Sequence, residues 1–415
     1  METEKYAAGI DIGTTKICTV VGRYTDAAEL DILGVGVAPA HGLKSGIVVD
    51  RQDAVASISR SVEEAQKIAE LPIEAAYIGI TGDHIRSTNV VGRVHTGISG
   101  EVTTADVELA KQSASDSVPV PFGREIIHAI VRDFSVDGTA GVSRPVGMSG
   151  RRLDVLLHIV TGMSTVLANV HECVQAAGIS VQAHVLEPIA TARAVLTDAE
   201  RDLGVVILDI GGGTTDVAVF VNGSICHTAA LPIAGNRITR DIAQVLRVRQ
   251  EDAEMLKCRF GTTVPDLVPE DDLVQVTKAD GIAEGRVPRR LIAQIIEARL
   301  TEIFTTARDE IARAPIPNVG GMVLSGGGSQ IPAATQLAGT IFADMALRSG
   351  EPRNVTGLSH LVSSPVHATG VGLAMMAADD GASAVLEEPP SAHPTETVRS
   401  WISDLWDRIL QHAPW

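Results

Sequence analysis

Two stretches of this chain follow one plan, and that duplication limits the fold more than any other feature. Residues 7–22, AAGIDIGTTKICTVVG, read as strand, Gly-Thr-Thr turn and strand, with β-branched residues on both flanks. Residues 204–223, GVVILDIGGGTTDVAVFVNG, repeat the pattern. In the second copy Val205 to Leu208 are continuously apolar, as in a strand buried on both faces. Each copy ends its first strand near an Asp, Asp11 or Asp209, and continues with Gly and Thr. Two copies about half a chain apart predict duplicated α/β domains.

The intervening chain supplies helices and two larger additions. Residues 53–71 carry apolar positions at helical spacing and stop before Pro72, and residues 74–81 read as a short strand. Residues 86–162 mix strands over 128–134 and 153–160 with a helix over 104–117, too much patterned chain for a loop. Further helices are predicted over 165–177, closed by Gly178, over 186–196 and over 238–246. Residues 247–312 are charged and read as two helices separated by a loop. MVLSGGGSQIPAA, residues 322–334, reads as strand, triple-glycine turn and a helix beginning near Gln330. Residues 365–377 form a helix of small side chains, and the acidic, Pro-rich residues 378–394 read as a flexible linker.

The paired turns suit phosphate chemistry. Glycine lets backbone N–H groups approach phosphate oxygens closely, at Gly13 and at Gly211, Gly212 and Gly213. Thr14, Thr15, Thr214 and Thr215 add hydroxyl donors, and Lys16 adds a cation for a terminal phosphate. Asp11 and Asp209, facing each other across a cleft, can hold a hydrated Mg²⁺, which prefers oxygen ligands and keeps several waters. The third turn, Gly326, Gly327 and Gly328 after Ser325, lets the backbone pass close to a nucleoside, with a helix N-terminus aimed at the site. No GxxxxGK[ST] run occurs, so the pattern is not that of a P-loop NTPase.

Composition removes other classes. At 415 residues and 45% hydrophobic content, the chain can bury a large core. A net charge of −17 makes it a poor partner for nucleic acid. Cys18, Cys173, Cys226 and Cys258 are scattered, which fits reduced thiols rather than a zinc site or a disulfide framework. The N-terminus reads as no signal peptide, and no stretch approaches the ~20 apolar residues needed to span a bilayer.

These motifs resemble the actin, Hsp70 and sugar-kinase superfamily. DIGTTK is similar to its first phosphate loop, ILDIGGGTTD to its second and VLSGGGSQIP to its adenosine loop. HVLEPIATARAVL and SPVHATGVGLAMMA are similar to its two connecting helices. Within that superfamily the resemblance to the FtsA family runs over residues 7–377. It is carried by GLKSGIVVD, RDFSVDG, RPVGMSGRRLDVLLHIVTG, LPIAGNRITRDIA and DAEMLKCRFG.

The resemblance implies an α/β fold of two actin-like, ribonuclease-H-like domains with an FtsA-type insertion. Residues 1–85 with 164–203 would form subdomain 1A, 86–163 the inserted subdomain 1C, 204–246 with 313–377 subdomain 2A, and 247–312 subdomain 2B. It implies ATP with Mg²⁺ as ligand, Glu254 and Lys257 flanking the adenine from one helix face, Gly235 near the phosphates, and Glu187 orienting an attacking water. Enzymatic activity would be at most weak ATP hydrolysis.

It further implies an actin-like polymer that ties FtsZ to the cytoplasmic face of the cell membrane at the division site. The FtsZ C-terminal tail would meet subdomain 2B, where Arg286, Arg289, Arg290, Arg299 and Arg308 suit carboxylates, although Glu297, Glu302 and Asp309 offer them ion-pair partners within a helix. Later division proteins would meet subdomain 1C. Two other readings share the superfamily: a small-molecule kinase, for which the sequence offers no candidate base, and a PilM-like pilus assembly protein, which lacks the segments quoted above.

Residues 395–415 read as an amphipathic helix. All three tryptophans, Trp401, Trp406 and Trp415, fall there, and Val398, Trp401, Ile402, Leu405 and Ile409 recur at helical spacing with Trp406 close by. Such a helix lies in a membrane interface with Trp at headgroup level. Acidic residues outnumber basic ones along it, so apolar burial rather than attraction to anionic lipid would drive binding.

Overall fold

The computed structural model describes residues 6–382, apart from 25–28, 98–99, 280–283, 315 and 317–318, together with Ala384. Most of the expected linker, and the expected membrane residues Val398, Trp401, Ile402, Leu405, Trp406 and Ile409, lie outside the described residues. Among the described residues no helix is long and apolar enough to cross a membrane.

The duplication read from the sequence is a duplication of sheets. In the first, Tyr6–Ile12 and Lys16–Tyr24 form the predicted hairpin, with Ile12 opposite Ile17, so only residues 13–15 make the turn. Leu30–Pro39 pairs antiparallel with the second strand, Ala75–Ile80 parallel with the first, and Ser180–Leu186 parallel with Ala75–Ile80. In the second sheet Val205–Ile210, Thr215–Val221, Ser224–Leu231, Gly321–Ser325 and Ala346–Ser349 take the same positions in the same directions. Counted within each half, both orders are 3-2-1-4-5. The first sheet gains a sixth strand, Val355–Gly357, from the second half of the chain.

Helices cover the sheets closely enough to demand glycine. Arg51–Ala69 starts at Asp50, whose carboxylate accepts from the Gln52 and Asp53 N–H groups, and ends on Glu70 in the left-handed region shortly before Pro72. Helices Glu187–Val195 and Ala368–Asp379 cross between the halves. There a Cβ on Gly372 would lie 1.8 Å from Ala190 O, so the crossing requires glycine.

The segment after Ala75–Ile80 folds as four strands, in the order Arg86–His95, Arg152–Met163, Arg124–Val136, Thr139–Val142. Helix Thr104–Ser117 covers this sheet, and its start is fixed by a reciprocal cap between Thr103 and Asp106. The lobe after Leu246 holds helices Gln250–Phe260 and Arg289–Arg313. The connection expected to be a loop carries a two-stranded hairpin, Leu273–Thr277 with Glu284–Pro288. Its five-residue strands offer two or three inward side chains each, too few to stand out as a period-2 signal. The helix expected near Gln330 begins at Ala334. Pro332 interrupts it, and residues 327–330 make a single tight turn.

Candidate functional site

The two hairpin turns meet across a cleft between the halves. A Cβ on Gly212 would sit 1.7 Å from Thr15 Oγ1, and one on Gly213 would sit 2.5 Å from Thr14 Oγ1. The third turn closes on the same point. Gly326 has φ 77°, and a Cβ there would fall 2.3 Å from Asp209 Oδ1. Together the three turns line a cavity of about 400 Å³, a size that takes a small-molecule ligand.

The cavity gathers the predicted residues from both halves of the chain. Asp11, Gly13, Thr14, Thr15, Lys16, Glu187 and Asp209 line it, as do Gly211, Gly212, Gly213, Thr214, Gly235, Glu254, Lys257, Gly326, Gly327 and Gly328. Thr215 does not. It is fully buried, and its hydroxyl donates to Ile233 O at 2.7 Å. Neighbouring residues on a strand point to opposite faces, so Thr214 and Thr215 cannot both enter the cleft.

Four buried carboxylates share this space with the Lys16 ammonium. Lys16 Nζ lies 3.5 Å from Asp11 Oδ2 and donates to Val366 O at 2.7 Å. Asp209 accepts from Thr191 Oγ1 at 2.9 Å and Thr369 Oγ1 at 3.5 Å. Asp216, which sequence reasoning missed, accepts from Thr81 Oγ1 at 2.6 Å and Thr214 Oγ1 at 3.3 Å. It stands directly opposite Asp209 in the hairpin, where the first hairpin places Cys18 opposite Asp11. That pairing was legible once the register of DIGGGTTD is drawn, since opposed residues share a face.

Burial raises all four carboxyls. Asp209 is pushed to about 6 and Asp216 to about 7, each also repelled by neighbouring acids. Burial lifts Asp11 against the pull of Lys16. Glu187 rises well above the ordinary value through burial and then through Asp11, Asp216 and Asp209. Its Oε1 is buried with no hydrogen-bond partner among the described residues.

Four acids against the Lys16 ammonium fit a further cation brought with a ligand. Among the described residues no three His, Cys, Asp or Glu side chains converge to ligate a metal directly. A metal here fits contact through water, as hydrated Mg²⁺ prefers.

The lobe supplies the opposite wall. Lys257 Nζ donates to Glu254 Oε2 at 2.7 Å, to Thr239 Oγ1 at 2.9 Å and to Gly235 O at 3.4 Å, tying helix Gln250–Phe260 to the start of helix Gly235–Leu246. Cys258 and Asn236 also line the cavity without having been foreseen.

The lobe arginines lie away from the cavity. Arg289 pairs with Asp272 at 3.2 Å and donates to Phe260 O at 2.9 Å. Arg290 pairs with Asp266 at 2.7 Å and Glu270 at 3.3 Å. Arg299 bridges Asp241 at 2.6 Å and also meets Glu302, three residues further along the helix. Arg308 pairs with its neighbour Asp309 at 3.1 Å, and Arg286 is exposed.

Two sheets of one topology facing each other across a glycine-lined cleft define an actin-like protein. A solved structure titled PilM-PilN type IV pilus biogenesis complex shares this fold, with TM-score 0.63 over 89% of this chain and 98% of that one, at 17% identity. Sequence relatives narrow the class. The family described as Cell division protein FtsA matches residues 206–372, and the SHS2 domain inserted in FTSA matches residues 82–161. Cell division protein FtsA of Pseudomonas aeruginosa is 37% identical over 97% of this chain and 98% of its own length. That of Escherichia coli K12 is 32% identical over 97% and 96%, and that of Bacillus subtilis is 35% identical over 91% and 84%. The chain belongs to the FtsA family of cell division proteins.

Proposed function

We propose that this protein is a nucleotide-gated scaffold of cell division. It binds ATP with Mg²⁺ in the cleft, polymerises like actin and tethers FtsZ to the cytoplasmic face of the membrane. One observation carries the reading: three glycine turns distant in sequence, with Lys16, four acids and the Glu254–Lys257 wall, line one cavity. Backbone N–H groups of the turns and Lys16 would hold the phosphates. Asp11 and Asp209 would hold Mg²⁺ through water, and the ion supplies neutralisation of phosphate charge. Glu254 and Lys257 would flank the adenine. Glu187 would orient a water for slow hydrolysis, and its unpartnered Oε1 leaves an acceptor for one.

The division of labour follows the additions to the fold. Residues 86–163 would be subdomain 1C, serving self-assembly and later division proteins. Residues 247–312 would be subdomain 2B, receiving the acidic FtsZ tail at Arg286, Arg289, Arg290 and Arg299 in exchange for the carboxylates that now hold three of them. The helix over 395–415 would bind lipid through Val398, Trp401, Ile402, Leu405, Trp406 and Ile409, tightened by polymerisation through avidity.

Co-sedimentation with liposomes, with and without ATP and FtsZ, tests the whole reading. The full chain is expected to pellet and to carry FtsZ with it, and Trp401→Glu with Trp406→Glu to remain in solution while still binding ATP. Asp209→Ala is expected to lose ATP affinity by calorimetry. Equal pelleting of the tryptophan variant would remove the membrane assignment, and unchanged affinity in Asp209→Ala would remove the nucleotide assignment.

A further inference from the structure

The second sheet ends on strand Ser224–Leu231, whose outer edge meets no further strand among the described residues. Such an edge leaves backbone carbonyls in need of donors. Side chains of the inserted sheet supply them. Ser87 Oγ donates to Thr228 O at 2.8 Å, and Asn89 Nδ2 donates to Cys226 O at 3.0 Å.

With its nitrogen so engaged, the Asn89 amide turns Oδ1, an acceptor only, toward His158 Nδ1 at 3.0 Å. His158 Nδ1 therefore carries the proton. His158 is fully buried, and burial pushes its pKa down to about 3, so the ring is neutral. Nε2 then accepts from the Thr228 hydroxyl at 3.0 Å. Every group in the chain Thr228, His158, Asn89, Cys226 O has one role, and reversing any of them orphans a buried atom. Ile130 of the insert packs beside this line on the cluster containing Phe220 and Ile225.

The insert is continuous with the first half, leaving it after Ala75–Ile80 and returning through helix Ser164–Ala176. It also packs on that half, where His128 Nε2 accepts from the Leu186 N–H at 3.0 Å, while its face toward strand Ser224–Leu231 contacts the second half. The cavity lies between those same halves, and Thr81, at the root of the insert, reaches across to Asp216. Separation of the halves must therefore either carry the insert along or break its contact with strand Ser224–Leu231.

We propose that the inserted sheet is a latch across the cleft: docking of Ser87, Asn89 and His158 on strand Ser224–Leu231 favours the closed arrangement, so nucleotide binding and insert docking reinforce each other. This rests on the reading of the cavity as a nucleotide site. Coupling of this kind is reciprocal: nucleotide tightens the insert, and anything that pulls the insert away weakens nucleotide.

The test uses the full chain with ATP and Mg²⁺, calorimetry for affinity and hydrogen exchange over residues 86–95, which do not line the cavity. The variants are Ser87→Ala with Asn89→Ala, and separately Thr228→Val, which changes the partner side alone. Asp133→Ala, whose carboxylate accepts from the Gly141 N–H of the outermost strand Thr139–Val142, is the control. In the unaltered protein ATP is expected to slow exchange over residues 86–95. In both latch variants that slowing is lost and the ATP Kd rises about 5–10-fold, the lower range of measured couplings. The control keeps both. Unchanged affinity and unchanged slowing in both latch variants would overturn the latch alone, as would an equal loss in the control. Absence of ATP binding by the unaltered protein would overturn the latch and the nucleotide reading together.

Discussion

The inserted sheet and the lobe after Leu246 are both additions to one duplicated plan, yet they are built in opposite ways. The insert enters between the fourth and fifth strands of the first sheet and encloses a core of its own, including Val107, Phe134, Leu153, Val155, Leu157 and Ile159. The lobe enters between the third and fourth strands of the second sheet. Its Leu256, Val274, Val287, Ile296, Leu300 and Phe304 join Val206, Leu208 and Met322 of that sheet in one cluster. A contiguous core opens as a unit, whereas the insert meets the second half through side-chain hydrogen bonds and the partly buried Ile130, a joint that can open separately. The insert can therefore shift as a body over the second half. The lobe moves only with the sheet that carries the second glycine turn, which suits a fixed wall of the cavity.

Truncation of each core gives the largest contrast. Phe304 is fully buried and packs edge-on against Phe342 with centroids 6.3 Å apart. Phe304→Ala is expected to cost ~3–5 kcal/mol and to move the unfolding transition of the whole second half, read by urea denaturation. Leu157→Ala, fully buried in the insert, is expected to cost ~2–5 kcal/mol, but locally. Hydrogen exchange should then speed across residues 86–163 while residues 205–231 keep their protection, and ATP should weaken only to the extent of the latch. If both variants speed exchange across both regions equally, the two cores are one and the comparison fails.

A smaller effect probes the joint between the regions, where Thr81 meets Asp216. Burial raises the Asp216 carboxyl from 3.8 to about 7. A folded pKa above the unfolded one means more protons bound in the folded state. The stability gained is full below about pH 4 and is lost as pH rises through about 7. Buried His128, His158 and His184, all lowered, act in the opposite direction on the acid side, so the informative quantity is a difference. Without Mg²⁺, Asp216→Asn is expected to gain on the unaltered protein by on the order of 1 kcal/mol between about pH 5 and about pH 8. Thermal unfolding across that range measures it, and parallel pH curves would show that Asp216 does not titrate there.

The smallest effects concern the lobe arginines. Arg290 pairs with Asp266 and Glu270, whose side chains are 85% and 89% exposed. Arg290→Ala is expected to change stability by less than ~0.5 kcal/mol. Arg299 ties the long helix of the lobe to Asp241 of helix Gly235–Leu246, with both side chains 26% exposed. Arg299→Ala is expected to cost ~1 kcal/mol. Equal values from denaturation would deny that the lobe is anchored to the second half by polar as well as apolar contacts.

The features written in contiguous residues were settled by the sequence alone. Turn chemistry marked both glycine hairpins and the Gly326 turn, and patterning marked helix Thr104–Ser117. What depended on distant partners was decided only by the tertiary structure. Strand Val355–Gly357 pairs with Leu30–Pro39 over more than three hundred residues of separation, and three residues carry no signal of which sheet they will join. Thr214 enters the cavity while Thr215 turns to Ile233 O, because the pleat admits one of two identical neighbours and the packing of the sheet chooses which. The register placed Asp216 opposite Asp209, but its partner Thr81, from the other half and 2.6 Å away, was set only by the folded chain. Local preferences act over a few residues, whereas a buried carboxylate is defined by whichever groups the folded chain brings around it.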